Sequence, residues 1–103
     1  MYNRISQVMS LPNLDSFYRL FLVPGMAHCA GGQGAYAFGQ EWLAWSVNST
    51  EHNILLALVD WVENGGAPES IIGSNPNGSV EDREHCRYPQ RSLWDGAKWM
   101  CAV

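Results

Sequence analysis

The feature that most constrains the fold is an almost wholly apolar run from Phe17 to Val23, which ends at Pro24-Gly25. Aromatic and aliphatic side chains fill the run, which is typical of a strand buried on both faces in a helix-covered parallel sheet. One such strand cannot satisfy its backbone hydrogen bonds alone and requires neighbouring strands. The sequence therefore predicts an α/β fold in which this strand is one part of a larger sheet.

Composition excludes several classes of protein. The chain has 103 residues, with 6 Lys and Arg against 10 Asp and Glu, and a formal net charge of −4. This acidic balance argues against nucleic-acid binding and against electrostatic docking on anionic membranes. Hydrophobic residues make up 47% of the chain, and no apolar run approaches the ~20 residues that cross a bilayer. We therefore expect a small folded domain with no nucleic-acid or membrane partner.

Two helices are predicted on either side of the apolar run. Apolar residues at helical spacing indicate a helix over Asn3–Ser10, and Pro12 interrupts it. A second helix is predicted to begin at Thr50-Glu51, with Thr50 as its cap, and to end at Gly65-Gly66. Its predicted apolar face consists of Ile54, Leu55, Leu58, Trp61 and Val62.

The last third of the chain is predicted to be mostly irregular. Ile71-Ile72 indicates a short strand, and polar, Gly and Pro residues dominate from Gly73 onward. Between the two helices, the segment from Pro24 to Gly39 is rich in Gly and Ala and is predicted to be a loop.

The cysteine count and two glycosylation sequons favour an exported protein. Of Cys29, Cys86 and Cys101, one must be free or pair outside the chain if the protein is secreted. A bond between Cys86 and Cys101 would close a loop of fourteen residues. Asn48 and Asn77 each begin an Asn-X-Ser/Thr triplet and are candidate glycosylation sites. The alternative is a cytosolic protein with three reduced thiols.

His28 is the candidate catalytic residue. It lies just past the carboxyl end of the predicted strand, where functional crevices form in open α/β sheets. An imidazole at such a place can act as a general base. The alternative is a loop histidine bonded to a nearby carbonyl. His52 and His85 are expected to be ordinary surface residues.

The sequence gives little support for other kinds of site. His28-Cys29 and His85-Cys86 supply four potential zinc ligands, but adjacent His-Cys pairs do not match the spacing of structural zinc sites. No Gly-rich phosphate loop and no G-x-S-x-G nucleophile motif is present. We therefore expect no metal site.

Three motifs, in order along the chain, resemble the C-terminal part of the tannase/feruloyl esterase family. They are Phe17 to Gly32, which includes Pro24-Gly25-Met26-Ala27-His28-Cys29; Ala57 to Gly65 with Ala67-Pro68; and Cys86-Arg87-Tyr88-Pro89-Gln90 with Asp95-Gly96 and Cys101. Members of that family are secreted serine esterases with an α/β-hydrolase fold and an inserted lid domain. They hydrolyse esters of phenolic acids.

The resemblance implies specific roles for individual residues. His28 matches the histidine of the catalytic triad. Cys29 matches a cysteine whose disulfide partner precedes the nucleophilic serine and so lies outside this chain. Cys86 and Cys101 match a separate disulfide near the carboxyl terminus. The triad aspartate is expected shortly before the helix represented here by Tyr2–Met9.

These implications define an overall expectation for residues 1–103. We expect the C-terminal fragment of an α/β-hydrolase fold, with the last core strand, the histidine loop, one main helix and a disulfide-closed tail. The nucleophile, the acid and the lid are expected elsewhere, so the isolated segment is expected to be inactive. Its expected partners are the remainder of the esterase chain and a phenolic-acid ester.

Cofactor and location follow from the same resemblance. No cofactor is expected in this segment, because calcium, where members carry it, belongs to the lid domain. We expect an extracellular protein whose signal peptide is not among these residues. A second interpretation is a non-catalytic remnant or small binding module, in which the aromatic residues form a core or a partner surface.

Overall fold

The computed structural model describes residues 1–9, 14–40, 49–78 and 80–103. Within these ranges, two helices precede four short strands, which form two separate two-stranded antiparallel sheets of consecutive strands. In the described part of the chain, no helix is long and apolar enough to span a membrane. The element bounds are α1 Tyr2–Val8, α2 Ile54–Asn64, β1 Ser70–Gly73, β2 Arg83–Cys86, β3 Arg91–Trp94 and β4 Trp99–Ala102.

Helix α1 is held by its first residue. Tyr2 is buried, its ring lies 5.5 Å from that of Tyr18 and 5.4 Å from that of Tyr88, and its hydroxyl donates to Asp15. Aromatic pairs at this separation attract beyond their area burial. The predicted first helix is thus confirmed, with bounds shifted by one or two residues. The predicted break at Pro12 lies outside the described residues.

The predicted buried strand over Phe17–Val23 does not form in this chain. Phe17 and Leu22 are 60% and 61% exposed, and the segment makes one isolated antiparallel bridge, between Phe21 and Arg87. A strand requires continuous hydrogen bonding to a neighbour. No strand lies beside this segment in the described residues, so its backbone is largely unpaired there.

Helix α2 is confirmed, but it begins later than predicted. The cap is Asn53, not Thr50: its side-chain oxygen accepts from the backbone N–H groups of Leu55 at 3.1 Å and Leu56 at 3.2 Å. Asn directly before the first apolar residue is better placed to satisfy these donors than Thr50, which lies in the preceding turn. The helix ends at Gly65 in the left-handed conformation, as predicted.

The apolar face of α2 is mostly open to solvent. Leu55 is 62% exposed and Val62 is 77% exposed, whereas Ala57 is the buried residue of the helix. Most of the predicted apolar face is therefore uncovered in the described part of the chain. A helix face of this kind is normally covered by another element.

The tail is more regular than predicted. The short strand at Ile71-Ile72 is confirmed as part of β1, which pairs with β2, and β3 and β4 form a second hairpin. A disulfide between Cys86 and Cys101 joins β2 to β4. The expectation of an irregular tail is wrong, because cross-strand pairing and this covalent link organise residues of low strand propensity.

Polar contacts connect the separate parts of the chain. Arg87 pairs with Asp15 and with Glu69, and Glu69 also pairs with Arg19 at 3.0 Å. The hydrogen bond from Arg19 is the main reason that the pKa of Glu69 lies below its ordinary value. These ion pairs attach the segment that leads to His28 to β1 and the tail. The buried apolar side chains are few: Tyr2, Leu14, Ala35, Ala37, Ala57, Ile71 and Cys86.

Candidate active site

His28 lies on a loop closed by its own backbone. We call residues 24–34 the His28 loop. The Gly34 N–H donates to the Gly25 carbonyl at 2.9 Å, and the Ala27 N–H donates to the Gly31 carbonyl at 3.0 Å. The two ends of the loop approach each other so closely that a Cβ at Gly34 would lie 2.3 Å from the Pro24 carbonyl oxygen. Glycine at this position is therefore required for the loop to close.

The His28 side chain is exposed at the end of this loop. Its Nδ1 lies 3.2 Å from the Sγ of Cys29. Within the described residues, its Nε2 has no hydrogen-bond partner. An exposed imidazole with one free nitrogen is accessible to groups outside the chain, and it has the chemistry of a general base.

Cys29 has an unusual backbone conformation. Its φ is +66°, the only positive value for a non-glycine residue in the described part of the chain, and its thiol is free and exposed. A left-handed conformation at such a residue costs energy and is common at functional sites. Here it turns the chain sharply, directly after His28.

Several hydrogen bonds attach the second end of the His28 loop, and the residues that directly follow it, to the rest of the fold. The side chain of Asn75 donates to the Gly34 carbonyl at 2.8 Å, and Ala37 exchanges two backbone hydrogen bonds with Ser74. Gln40 donates to the carbonyls of Tyr36 and Cys29, at 2.7 and 3.4 Å. The position of His28 thus depends on residues well outside its own loop.

His85 is one of these residues, and the expectation that it lies on the surface is wrong. It is 1% exposed, and its Nε2 lies 2.7 Å from the Ala35 carbonyl oxygen. Burial lowers its pKa below 6.5, the nearby Arg83 charge also lowers it, and the Ala35 hydrogen bond partly opposes them. The polar stretch around His85 has no strand pattern, so nothing in the sequence indicated that this side chain points inward.

His52 lies before α2 rather than in its first turn. It is partly exposed, and its Nδ1 is 3.3 Å from the Ser49 hydroxyl. This contact is within its own turn, and no hydrogen bond joins His52 to the His28 loop among the described residues.

The residues of the two His-Cys pairs are engaged separately. Cys86 is bonded to Cys101, and His85 is hydrogen-bonded to a carbonyl in the interior. Across the residues that the structure describes, no group of three His, Cys, Asp or Glu side chains is arranged to hold a metal ion.

One of the two candidate glycosylation sites is described. Asn77 is exposed in a turn after β1, and its backbone N–H donates to the side chain of Asn75. Asn48 lies outside the described residues. Glycosylation at both positions stays a prediction.

A cavity of about 660 Å³ lies at the base of the His28 loop. It is lined by Pro24, Gly25, Gly34, Arg83, Trp94 and Trp99, among others, and His28 is not one of its lining residues. The Arg83 guanidinium lies 4.0 Å from the centre of the Trp99 ring, a cation–π contact. This contact connects β4 to β2, and residues of the His28 loop line another part of the same cavity.

The chain is similar to known fungal esterases in both sequence and structure. The family model for tannase and feruloyl esterase matches residues 1–102. A protein named "Probable feruloyl esterase B-1" from Aspergillus flavus is 45% identical over 102 residues. The crystal structure of feruloyl esterase B from Aspergillus oryzae matches with a TM-score of 0.86 and 40% identity over 98% of this chain. A second esterase structure from that organism gives the same TM-score with 41% identity.

These matches cover nearly all of the chain but a small part of each relative. The chain spans 19% of the Aspergillus flavus protein, and 22% and 23% of the two Aspergillus oryzae structures. The small mixed helix and strand arrangement therefore matches a portion of these two esterase structures. The resemblance noted in the sequence is confirmed: the chain belongs to the tannase and feruloyl esterase family.

Proposed function

We propose that residues 1–103 are the C-terminal part of an α/β-hydrolase esterase domain, in which His28 is the general base of a serine triad. The observation that carries this proposal is the geometry of His28. Its imidazole is exposed on a hydrogen-bonded loop and has an unpartnered nitrogen in the described structure, within a chain that matches esterases over almost its full length.

The proposed mechanism is acyl transfer. His28 takes the proton from a serine hydroxyl as the oxygen attacks the ester carbonyl, and it then protonates the departing alcohol. In the second half, it takes a proton from water, which attacks the acyl-enzyme and releases the acid. We propose that the serine and the orienting aspartate lie outside these 103 residues, in the same enzyme.

The proposed substrates are esters of phenolic acids, because the relatives are feruloyl esterases by name. We propose an extracellular enzyme, because the sequons and the Cys86–Cys101 disulfide suit an oxidising environment. In the absence of the remainder of the enzyme, His28 has no nucleophile to activate and no oxyanion hole to assist it. The 103-residue chain alone should therefore give no ester hydrolysis above background.

A chimera tests the catalytic proposal directly. In it, residues 1–102 of this chain replace the equivalent segment of Aspergillus oryzae feruloyl esterase B, and hydrolysis of a feruloyl ester is measured. The His28→Ala variant should lose on the order of 10⁶-fold in kcat. The matched control is His52→Ala, a histidine outside the loop, which should change kcat less than about twofold.

Two results would overturn the proposal. A His28→Ala chimera that keeps its turnover would remove His28 from the reaction. A folded chimera with no activity would favour a non-catalytic remnant or small binding module, the second interpretation of the sequence.

A further inference from the structure

We propose that His85 is a positioning residue. Its hydrogen bond to the Ala35 carbonyl fixes residues 34–37, which join the second end of the His28 loop to the rest of the fold. The catalytic part of this inference rests on the proposed function, because it matters for turnover only if His28 is the base. The structural part, that His85 holds residues 34–37 in place, does not depend on that assignment.

The hydrogen bond of His85 defines its protonation state. A carbonyl oxygen only accepts, so the Nε2 that lies 2.7 Å from the Ala35 oxygen must carry the hydrogen. The Nδ1 atom is buried and has no partner in the described part of the chain. A second proton on Nδ1 would be a buried donor without an acceptor, so the neutral Nε2–H form is the one that fits the site.

Adjacent residues are attached to the same sheet. Asn75, also buried, donates to the Gly34 carbonyl, and Ser74 exchanges two hydrogen bonds with Ala37. The His85 bond lies between these attachments. Because the Gly34 N–H in turn donates to the Gly25 carbonyl, a displacement of residues 34–37 would reach the first end of the His28 loop through one hydrogen bond.

Gly73 has no side chain, and the hydrogen bond between His85 and Ala35 lies where a Cβ at this position would be. A Cβ at Gly73 would lie 2.3 Å from the Ala35 oxygen and 2.8 Å from the His85 Nε2. Both atoms of the hydrogen bond would have to move if any other residue stood there. Strands β1 and β2 and residues 34–37 therefore all pack around the hydrogen bond between His85 and Ala35.

The competing explanation is that His85 only fills the interior. The two explanations differ in what they predict for substitutions. Glutamine keeps an N–H donor near the Nε2 position, whereas leucine fills the volume without a donor. A positioning role predicts that His85→Gln restores function lost in His85→Leu, while a filling role predicts that leucine is tolerated.

The experiment uses the chimera and separates kcat from KM. His85→Leu should lower kcat about tenfold or more with KM changed less than about twofold, because a displaced base slows the chemical step without removing a substrate contact. His85→Gln should recover kcat to within about threefold of the parent. The matched control is Leu14→Ala, a fully buried residue outside the β1-β2 sheet and the His28 loop, which should lower Tm and leave kcat nearly unchanged.

A second measurement keeps the result independent of the base assignment. Amide hydrogen exchange at Gly34 and Ala37 should speed up in His85→Leu and return toward the parent rate in His85→Gln. If His85→Leu does not fold, Gly73→Ala provides the same test, because it pushes the bonded pair apart without removing either group.

The outcomes distinguish the two proposals. Unchanged exchange and unchanged kcat in His85→Leu, or a loss of kcat in Leu14→Ala that tracks its Tm, would overturn the positioning role. If His28→Ala keeps its activity, the proposed function fails, and exchange at residues 34–37 still decides whether His85 holds the loop.

Discussion

The Nδ1 atom of His28 lies 3.2 Å from the Sγ atom of its neighbour Cys29. The proposed base is therefore adjacent to a thiol that is exposed and free in this chain. In the whole enzyme we propose that this thiol forms a disulfide next to the nucleophilic serine. The bond would then hold the base and the nucleophile within hydrogen-bond distance.

Loss of the Cys29 bond should therefore reduce activity before it reduces stability. In the chimera, Cys29→Ser should lower kcat by about tenfold or more, while the circular dichroism spectrum at 25 °C stays that of the parent. Mild reduction of the parent chimera should give the same result. If reduction breaks the bond and turnover is unchanged, the bond has no role in positioning the base.

The Cys86–Cys101 disulfide should contribute to stability rather than to catalysis. Replacing both cysteines with alanine in the chimera should lower the free energy of unfolding by about 3 kcal/mol, because a short closed loop is released in the unfolded chain. The measurement is the urea midpoint at neutral pH. An unchanged midpoint would contradict this expectation.

Acid should weaken the fold through His85. Its pKa is lowered in the folded state, mainly by burial and also by the Arg83 charge, so the unfolded state binds the proton more readily. The contribution of neutral His85 to the free energy of unfolding is complete above its ordinary pKa of 6.5 and is lost as pH falls below that value. The free energy of unfolding then falls by at most about 1.4 kcal/mol per pH unit. Urea midpoints of the chimera between about pH 8 and pH 5 should show this slope. His85→Gln should flatten it, and an equal slope in both proteins would refute the assignment.

The helix cap should be sensitive to substitution at Asn53 and not at Thr50. Asn53→Ala removes the acceptor of two backbone N–H groups and should cost about 1 kcal/mol of stability. Thr50→Ala is the matched control and should change stability by less than about 0.5 kcal/mol. The comparison is made by urea unfolding of the chimera, and a larger effect of Thr50→Ala would restore the cap predicted from the sequence.

The isolated chain should behave as an incomplete fold. Large apolar side chains of α2 and of the Phe17–Val23 segment are exposed, and few residues are buried. We expect strong binding of an apolar fluorescent dye and a broad thermal transition. A sharp, cooperative transition of a monomer, without dye binding, would show that the chain is stable by itself.

The sequence predicted the parts of the structure that depend on local signals. Helix α2 has an apolar face and a glycine stop, and β1 has two β-branched residues, so both were identified correctly. The cap was misplaced because Thr50 and Asn53 are both good capping residues, and only the turn geometry selects Asn53. The motif around His28 identified the candidate site through family resemblance.

The remaining features depend on contacts between distant residues. Strands β2 and β4 contain polar and aromatic residues without alternation, and they form because each has a neighbour and a disulfide joins them. The burial of His85 depends on Gly73 and Ala35, which are far from it in sequence. The Phe17–Val23 segment is the opposite case. Its composition suits a strand, but no neighbouring strand is present among the described residues.

The disulfide between β2 and β4 has a practical consequence for producing this protein. Cys86 directly follows His85, so the crosslink is formed at the strand that holds the His28 loop. Bacterial cytoplasm would leave both sulfurs reduced, so protein made there would lack the disulfide next to His85. Expression through an oxidising secretory route is therefore the appropriate choice before any negative activity result is interpreted.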